Sequence, residues 1–207
     1  MHRKFDEFFY KTMGIRLIYI GLSFIKKPKI NKKTLSYRIY QISYTLKYGD
    51  IPWLTQEANS ILLGILRPWM KGFEWGSGKS TLFFARRVNY LVSIEHDCYW
   101  YNLVRSWLER EHLYNCDLRY IPSEQHYVEC INEFPDEYFD FILIDGILRE
   151  KCLFKALPKL KRGGFLVFDN DERYGSFLDS LALLRSFKKI ETSNGITKTN
   201  FYVKPKQ

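Results

Sequence analysis

A chain of 207 residues that is 46% hydrophobic and 27% charged can bury a full core, which excludes a disordered or fibrous chain and leaves one globular domain, with or without an extension. Its formal net charge of +9 is unevenly spread: residues 1–50 hold 11 Lys and Arg against 3 Asp and Glu, while residues 51–207 hold 21 against 20. A nucleic-acid enzyme tends to spread basic residues over its active face, so this division argues against a DNA or RNA substrate.

The chain begins with an unusual segment. Phe5, Phe9, Met13, Leu17, Ile20 and Phe24 recur at spacings of three and four and form one helical stripe. The apolar run Met13 to Ile25 contains Arg16 and is too short to span a bilayer comfortably. Lys26, Lys27, Lys29, Lys32 and Lys33 follow, with Pro28 ending the helix. No small-residue cleavage site follows, which argues against a cleaved signal peptide. Two readings stand: an interfacial helix whose lysines face anionic lipid on the cytoplasmic side of a membrane, or a helix packed on the domain or on a second subunit of a homo-oligomer. Residues 1–50 are accordingly read as a basic, helical extension and residues 51–207 as the main domain.

From residue 51 strands and helices alternate. Thr55 is placed as an N-cap for a helix to about Leu66. Strands are predicted over 71–75, 90–95, 117–121, 139–144 and 164–168. Helices are predicted over 79–87, from an Asp97 cap to His112, and over 124–133, 149–160 and 172–187. Two last strands, 188–192 and 199–204, are joined through Ser193-Asn194-Gly195. Such alternation predicts a doubly wound sheet with helices on both faces. Cys98, Cys116, Cys130 and Cys152 show no metal-type spacing and read as reduced thiols of a cytoplasmic protein.

The most informative stretch is Gly72-Phe73-Glu74-Trp75-Gly76-Ser77-Gly78-Lys79-Ser80-Thr81. A carboxylate ends a strand, a Gly-x-Gly turn follows, and a helix begins. Glu95 closes the next strand about 20 residues on, where a carboxylate can accept from ribose hydroxyls. A phosphate-binding P-loop would need its first glycine at the position of Phe73, and Glu74 would repel a triphosphate. Glu74 is equally unsuited to the pyrophosphate of a dinucleotide. A carboxylate before the glycines suits a ligand with a cationic or hydroxyl-rich end.

Glu74-x-Gly76-x-Gly78 with Glu95 resembles the cofactor motifs of class I S-adenosylmethionine (SAM) dependent methyltransferases. Phe139 to Gly146 resembles that family's fourth strand, which ends in an acidic residue, here Asp145. Leu157-Pro158-Lys159-Leu160-Lys161-Arg162-Gly163-Gly164 resembles the turn into its fifth strand, and the hairpin around Asn194-Gly195 resembles its antiparallel last pair. The likeness covers about residues 52–204, with one departure at Ser80, where many members have a third glycine.

The resemblance implies a seven-stranded, mostly parallel sheet with an antiparallel last strand. It also implies SAM as cofactor, with Glu74, Gly76, Ser77, Gly78, Glu95, His96 and Ser123 at the cofactor, and Glu124 as an alternative to Ser123. Asp145 and Asp169 become the catalytic candidates. Asp145, Asp169 and Asn170 together resemble the Mg²⁺ site of catechol O-methyltransferase relatives. The lysine base those relatives carry has no counterpart here, since Gly146-Ile147-Leu148-Arg149 follows Asp145. The alternative to a metal is that Asp145 contacts substrate or cofactor and Asp169-Asn170 caps the next helix. Arg149 either grips an anionic acceptor or makes a salt bridge.

The expected function is methyl transfer to a hydroxyl of a small molecule or glycan. The rivals are a non-catalytic SAM-binding or membrane-associated partner protein, and a P-loop NTPase. Deleting residues 1–33 should leave SAM binding intact, because every cofactor motif lies beyond residue 70. Sedimentation with anionic liposomes that survives this deletion unchanged would exclude the membrane role of the extension.

Overall fold

Phe141-Ile142-Leu143-Ile144 and Leu166-Val167-Phe168 have no polar alternate, so the strands they form must be covered on both faces. In the computed structural model, which describes residues 51–207 together with Ser43 and Gly49, they are central strands of a seven-stranded sheet. The strands are β1 (Lys71–Trp75), β2 (Tyr90–Glu95), β3 (Cys116–Tyr120), β4 (Phe139–Ile144), β5 (Leu160–Asp169), β6 (Lys188–Ile190) and β7 (Thr199–Val203). The helices are α1 (Gln56–Ile65), α2 (Lys79–Ala85), α3 (Cys98–Arg110), α4 (Glu124–Glu129), α5 (Arg149–Lys159) and α6 (Gly175–Ser180). The chain divides into two units, Met1–Gly49 and Asp50–Gln207, and all of these strands and helices belong to the second. The helix expected over residues 5–25 lies outside the described residues.

The strand order is β3-β2-β1-β4-β5-β7-β6. Neighbours from β3 through β5 pair parallel, and β7 runs antiparallel to both β5 and β6. This is the mostly parallel sheet the sequence predicts. The chain adds β2 and β3 on one side of β1, then returns to place β4 on the other. That reversal makes a crevice at the carboxyl ends of β1 and β4, where open α/β sheets bind ligands.

Strand alternation decides which side chains reach that crevice and which fill the core. Phe73 and Trp75 point to one face, where they pack with Ile142, Phe168, Tyr127 and Leu153 in the main apolar cluster. Glu74 points to the other face, in register with Ser93 on β2 and Leu143 on β4. Thr55 and Asp97 act as the expected N-caps, accepting from the Ala58 and Trp100 amides.

Three helices are shorter than predicted. α2 stops at Ala85, and the chain turns so that Asn89 N–H donates to Met70 O at 2.9 Å. The segment over 124–133 is α4 followed by a 3₁₀ turn, Cys130–Glu133. The expected helix over 172–187 is broken into a 3₁₀ turn at Asp171–Arg173, α6, and a second 3₁₀ turn at Ala182–Leu184. Its start is pinned to the sheet: Asp171 accepts from the Tyr202 hydroxyl at 2.8 Å, and Glu172 from the Lys198 amide at 2.8 Å. Leu181, with ψ at 107°, interrupts its helical path. All four cysteines are free thiols, with Cys130 and Cys152 buried. Among the described residues no helix is long and apolar enough to cross a membrane.

One packing contact is unusually tight. A Cβ at Gly72 would sit 2.1 Å from Phe141 Cζ. That ring cannot yield, because it stacks on Phe165 at 5.6 Å between centroids and leans on Phe84 at 4.8 Å. Gly72→Ala should therefore destabilise the domain by about 1–3 kcal/mol, the scale of overpacking. Phe141→Leu introduced on that background should recover part of the loss in urea melts. Strictly additive losses would contradict the contact.

Candidate functional site

The turns after β1 and β4 meet backbone to backbone. Gly76 has φ +92°, and a Cβ there would lie 2.8 Å from Gly146 N and 2.9 Å from the Asp145 carbonyl carbon. A Cβ on Gly146 would lie 3.0 Å from Gly76 N and 2.0 Å from the Tyr127 hydroxyl. Only glycine meets both demands, left-handed backbone at one turn and no side chain at the other. Gly78 differs: its backbone is extended, and a Cβ would meet Trp100 at an ordinary 3.6 Å.

The turn is fastened from below by Glu74. The Gly78 N–H donates to Thr81 Oγ1 at 2.9 Å, and the Thr81 hydroxyl donates to Glu74 Oε1. Ser93 also donates to Oε1, at 2.7 Å. Oε2 has no partner although Glu74 is fully buried. Burial pushes this carboxyl up to about 7, against the hydrogen bonds from Thr81, Ser93 and Ser80. Glu74 thus lies buried beneath the loop, bonded to Thr81 and Ser93.

Glu95 faces the turn from β2. Its Oε2 accepts from the Ser77 amide at 3.0 Å and the Ser77 hydroxyl at 2.9 Å. Its Oε1 accepts from the His96 and Asp97 amides at 2.8 and 2.9 Å. Trp100 Nε1 donates to Ser77 O, closing the turn against α3. The His96 ring is part-exposed beside this carboxylate, edge-on to Tyr127 at 5.9 Å. Gly76, Ser77, Gly78, Glu95 and His96 are therefore brought together. Ser123 is exposed and caps α4 through a 3.5 Å bond from the His126 amide.

Asp145 and Asp169 stand at the tips of the adjacent strands β4 and β5. Arg149 lies between them, with Nη2 2.9 Å from Asp145 Oδ1 and Nη1 3.9 Å from Asp169 Oδ2. Thr199 donates to Asp169 Oδ1 at 2.6 Å. Burial, then the Asp145 charge, push the Asp169 carboxyl well above its usual range. Burial also raises Asp145, opposed first by the Arg149 cation.

Two of the three expected Mg²⁺ ligands, Asp145 and Asp169, lie on either side of Arg149. Asn170, at φ +55°, turns its amide to Thr197 Oγ1 at 2.8 Å. The reading of Arg149 as a grip for an anionic acceptor gives way to the salt bridge, since its donors are spent on the strand tips.

No family model and no curated protein matches this sequence. Solved structures do share its fold. A Streptococcus mutans protein in complex with SAH superposes with a TM-score of 0.59 at 15% identity, over 72% of this chain and 96% of that one. An rRNA methylase from Streptococcus thermophilus gives 0.59 at 14%, over 74% and 99%. The precorrin-6y C5,15-methyltransferase of Geobacter metallireducens gives 0.55 at 13%, over 73% and 89%. The fold is that of class I SAM-dependent methyltransferases. At these identities the likeness is one of fold.

Sequence reading missed Thr81, Ser93, Trp100, Tyr127 and Thr199. Thr81 alone had a local signal, a hydroxyl where the glycine pattern would continue; the others reach the site from distant parts of the chain.

The Glu74 arrangement has a measurable consequence. An unfolded Glu titrates near 4.5 and the folded one at about 7, so between these values the folded state holds more protons and stability falls as pH rises. The full cost of ionising it is on the order of 3 kcal/mol. Glu74→Gln should match the wild type near pH 4.5, exceed it in stability at pH 8, and flatten the profile between. Parallel profiles for the two proteins would show that Glu74 is ionised throughout.

Proposed function

We propose that this chain is a SAM-dependent methyltransferase acting on a hydroxyl of a small molecule or glycan. The observation that carries the reading is the pairing of Glu95 with the Gly76-Ser77-Gly78 turn across the sheet's switch point. Glu95 is a buried carboxylate that already accepts from a hydroxyl, and ribose hydroxyls are the same kind of donor. Cofactor binding on this reading exchanges the Ser77 hydroxyl for ribose while the Ser77, His96 and Asp97 amides keep the carboxylate oriented. Gly76 and Gly146 keep side chains out of the crevice, and the part-exposed His96 ring offers a flat edge beside it.

When bound, SAM supplies a methyl group on a positively charged sulfur. Asp145 is the reachable carboxylate at the tips, its side chain 28% exposed against 6% for Asp169. It complements a cationic donor and takes the acceptor's proton. The acceptor oxygen forms the new bond to the methyl carbon as the carbon–sulfur bond breaks, and the released pair stays on sulfur. Holding the two groups in line supplies most of what a direct displacement needs. The near balance of charge over residues 51–207 supports a small acceptor over a nucleic acid.

Calorimetry should show SAM and SAH binding and no comparable ATP binding. Glu95→Ala should weaken SAH by about 1.5–3 kcal/mol, the scale of a charge-assisted hydrogen bond. ATP binding without SAH binding would overturn the reading. SAH binding without label transfer from methyl-labelled SAM to any extract component would leave a binding protein in place of an enzyme.

A further inference from the structure

Two carboxyls packed at adjacent strand tips need a cation or a proton between them. The geometry points to Arg149 as the resident cation of this site: we propose that it does the positioning and charge-neutralising work of a divalent ion, so that the β4 and β5 tips operate without metal.

The local chain is built to deliver it. After Asp145, Gly146 and Ile147 turn the backbone, and Leu148 at φ +51° starts α5 so that Arg149 is its first residue. The guanidinium then folds back over the tips. Nε donates to Gly146 O at 2.9 Å, and Nη2 donates to Asp145 O at 2.8 Å and Asp145 Oδ1 at 2.9 Å. Nη1 donates to Asp169 O. One planar fork thus grips both strand tips, which a point charge such as Lys cannot do in the same way. The side chain is 10% exposed, so the interaction is poorly screened.

One oxygen of each carboxyl is already engaged: Asp145 Oδ1 accepts from Arg149, and Asp169 Oδ1 accepts from the Thr199 hydroxyl. Thr199 is itself held, its Oγ1 accepting from the Thr55 amide at 3.3 Å in a buried cluster with Thr192. Asp169 is therefore locked from the β7 side and Asp145 from α5. A second cation would meet the fixed positive charge of Arg149 at both tips.

The inference concerns the same tips as the methyl-transfer reading, but its test does not depend on it. The wild-type protein should leave the spectroscopic signal of free Mn²⁺ unchanged on titration. One Mn²⁺ bound per chain, abolished by Asp145→Asn, would overturn the proposal. The positioning role is read from the Asp145 carboxyl carbon resonance. Its titration should move to higher pH in Arg149→Gln and return toward wild type in Arg149→Lys, whereas a merely structural arginine would leave it in place. An unmoved titration in a folded Arg149→Gln protein would also overturn the proposal. Should that variant not fold, the wild-type Mn²⁺ titration and the Arg149→Lys resonance still decide. SAH binding, measured alongside on the wild type, reports on the methyl-transfer reading alone.

Discussion

Everything at the carboxyl edge of the sheet depends on the backbone contact between Gly76 and Gly146. The strand order places β1 beside β4 with the chain leaving in different directions, and the two turns must pass within van der Waals distance. A side chain on either would force the tips apart. With the contact made, Gly76 N–H reaches Ile94 O and Asp145 N–H reaches Trp75 O, so the ladder continues to the last residue of each strand. Glu95, Asp145 and the glycine turn then have fixed relative positions, as a preorganised site requires.

Two carboxylates hold that turn from opposite sides, and burial assigns them different work. Glu95 accepts four hydrogen bonds at the edge of the crevice. Glu74 has one satisfied oxygen and one orphan in a dry interior, so it is held near the neutral form and anchors the loop through Thr81. At the β4 and β5 tips burial raises both Asp145 and Asp169, and the Arg149 cation opposes the rise at Asp145.

The sheet was legible in the sequence because its central strands are uniformly apolar and punctuated by glycine, proline and capping residues. Thr55 and Asp97 announce their helices, and Glu74-x-Gly76-x-Gly78 with Glu95 locates the crevice. What was not legible depends on contacts distant in sequence. Thr199 meets Asp169 across 30 residues and Tyr127 meets the Gly146 turn from another helix, and neither carries a local pattern. Arg149 is four residues from Asp145, so its proximity could be read, but its fourfold grip needed the left-handed turn at Leu148. Helix 172–187 was misread because side-chain bonds from Asp171 and Glu172 to the last hairpin compete with helix continuation.

The central claim is that the crevice between the β1 and β4 turns is the cofactor site. It is tested most directly by titrating ¹⁵N-labelled protein with SAH and following the backbone amides. A cofactor in this crevice should shift Gly76, Ser77, Gly78 and the His96 and Asp97 amides together, with the Ser77 amide among the most affected, while Tyr138 and Gly163 at the opposite edge of the sheet stay in place. Saturable shifts confined to the opposite edge, or none at all in a folded protein, would contradict it.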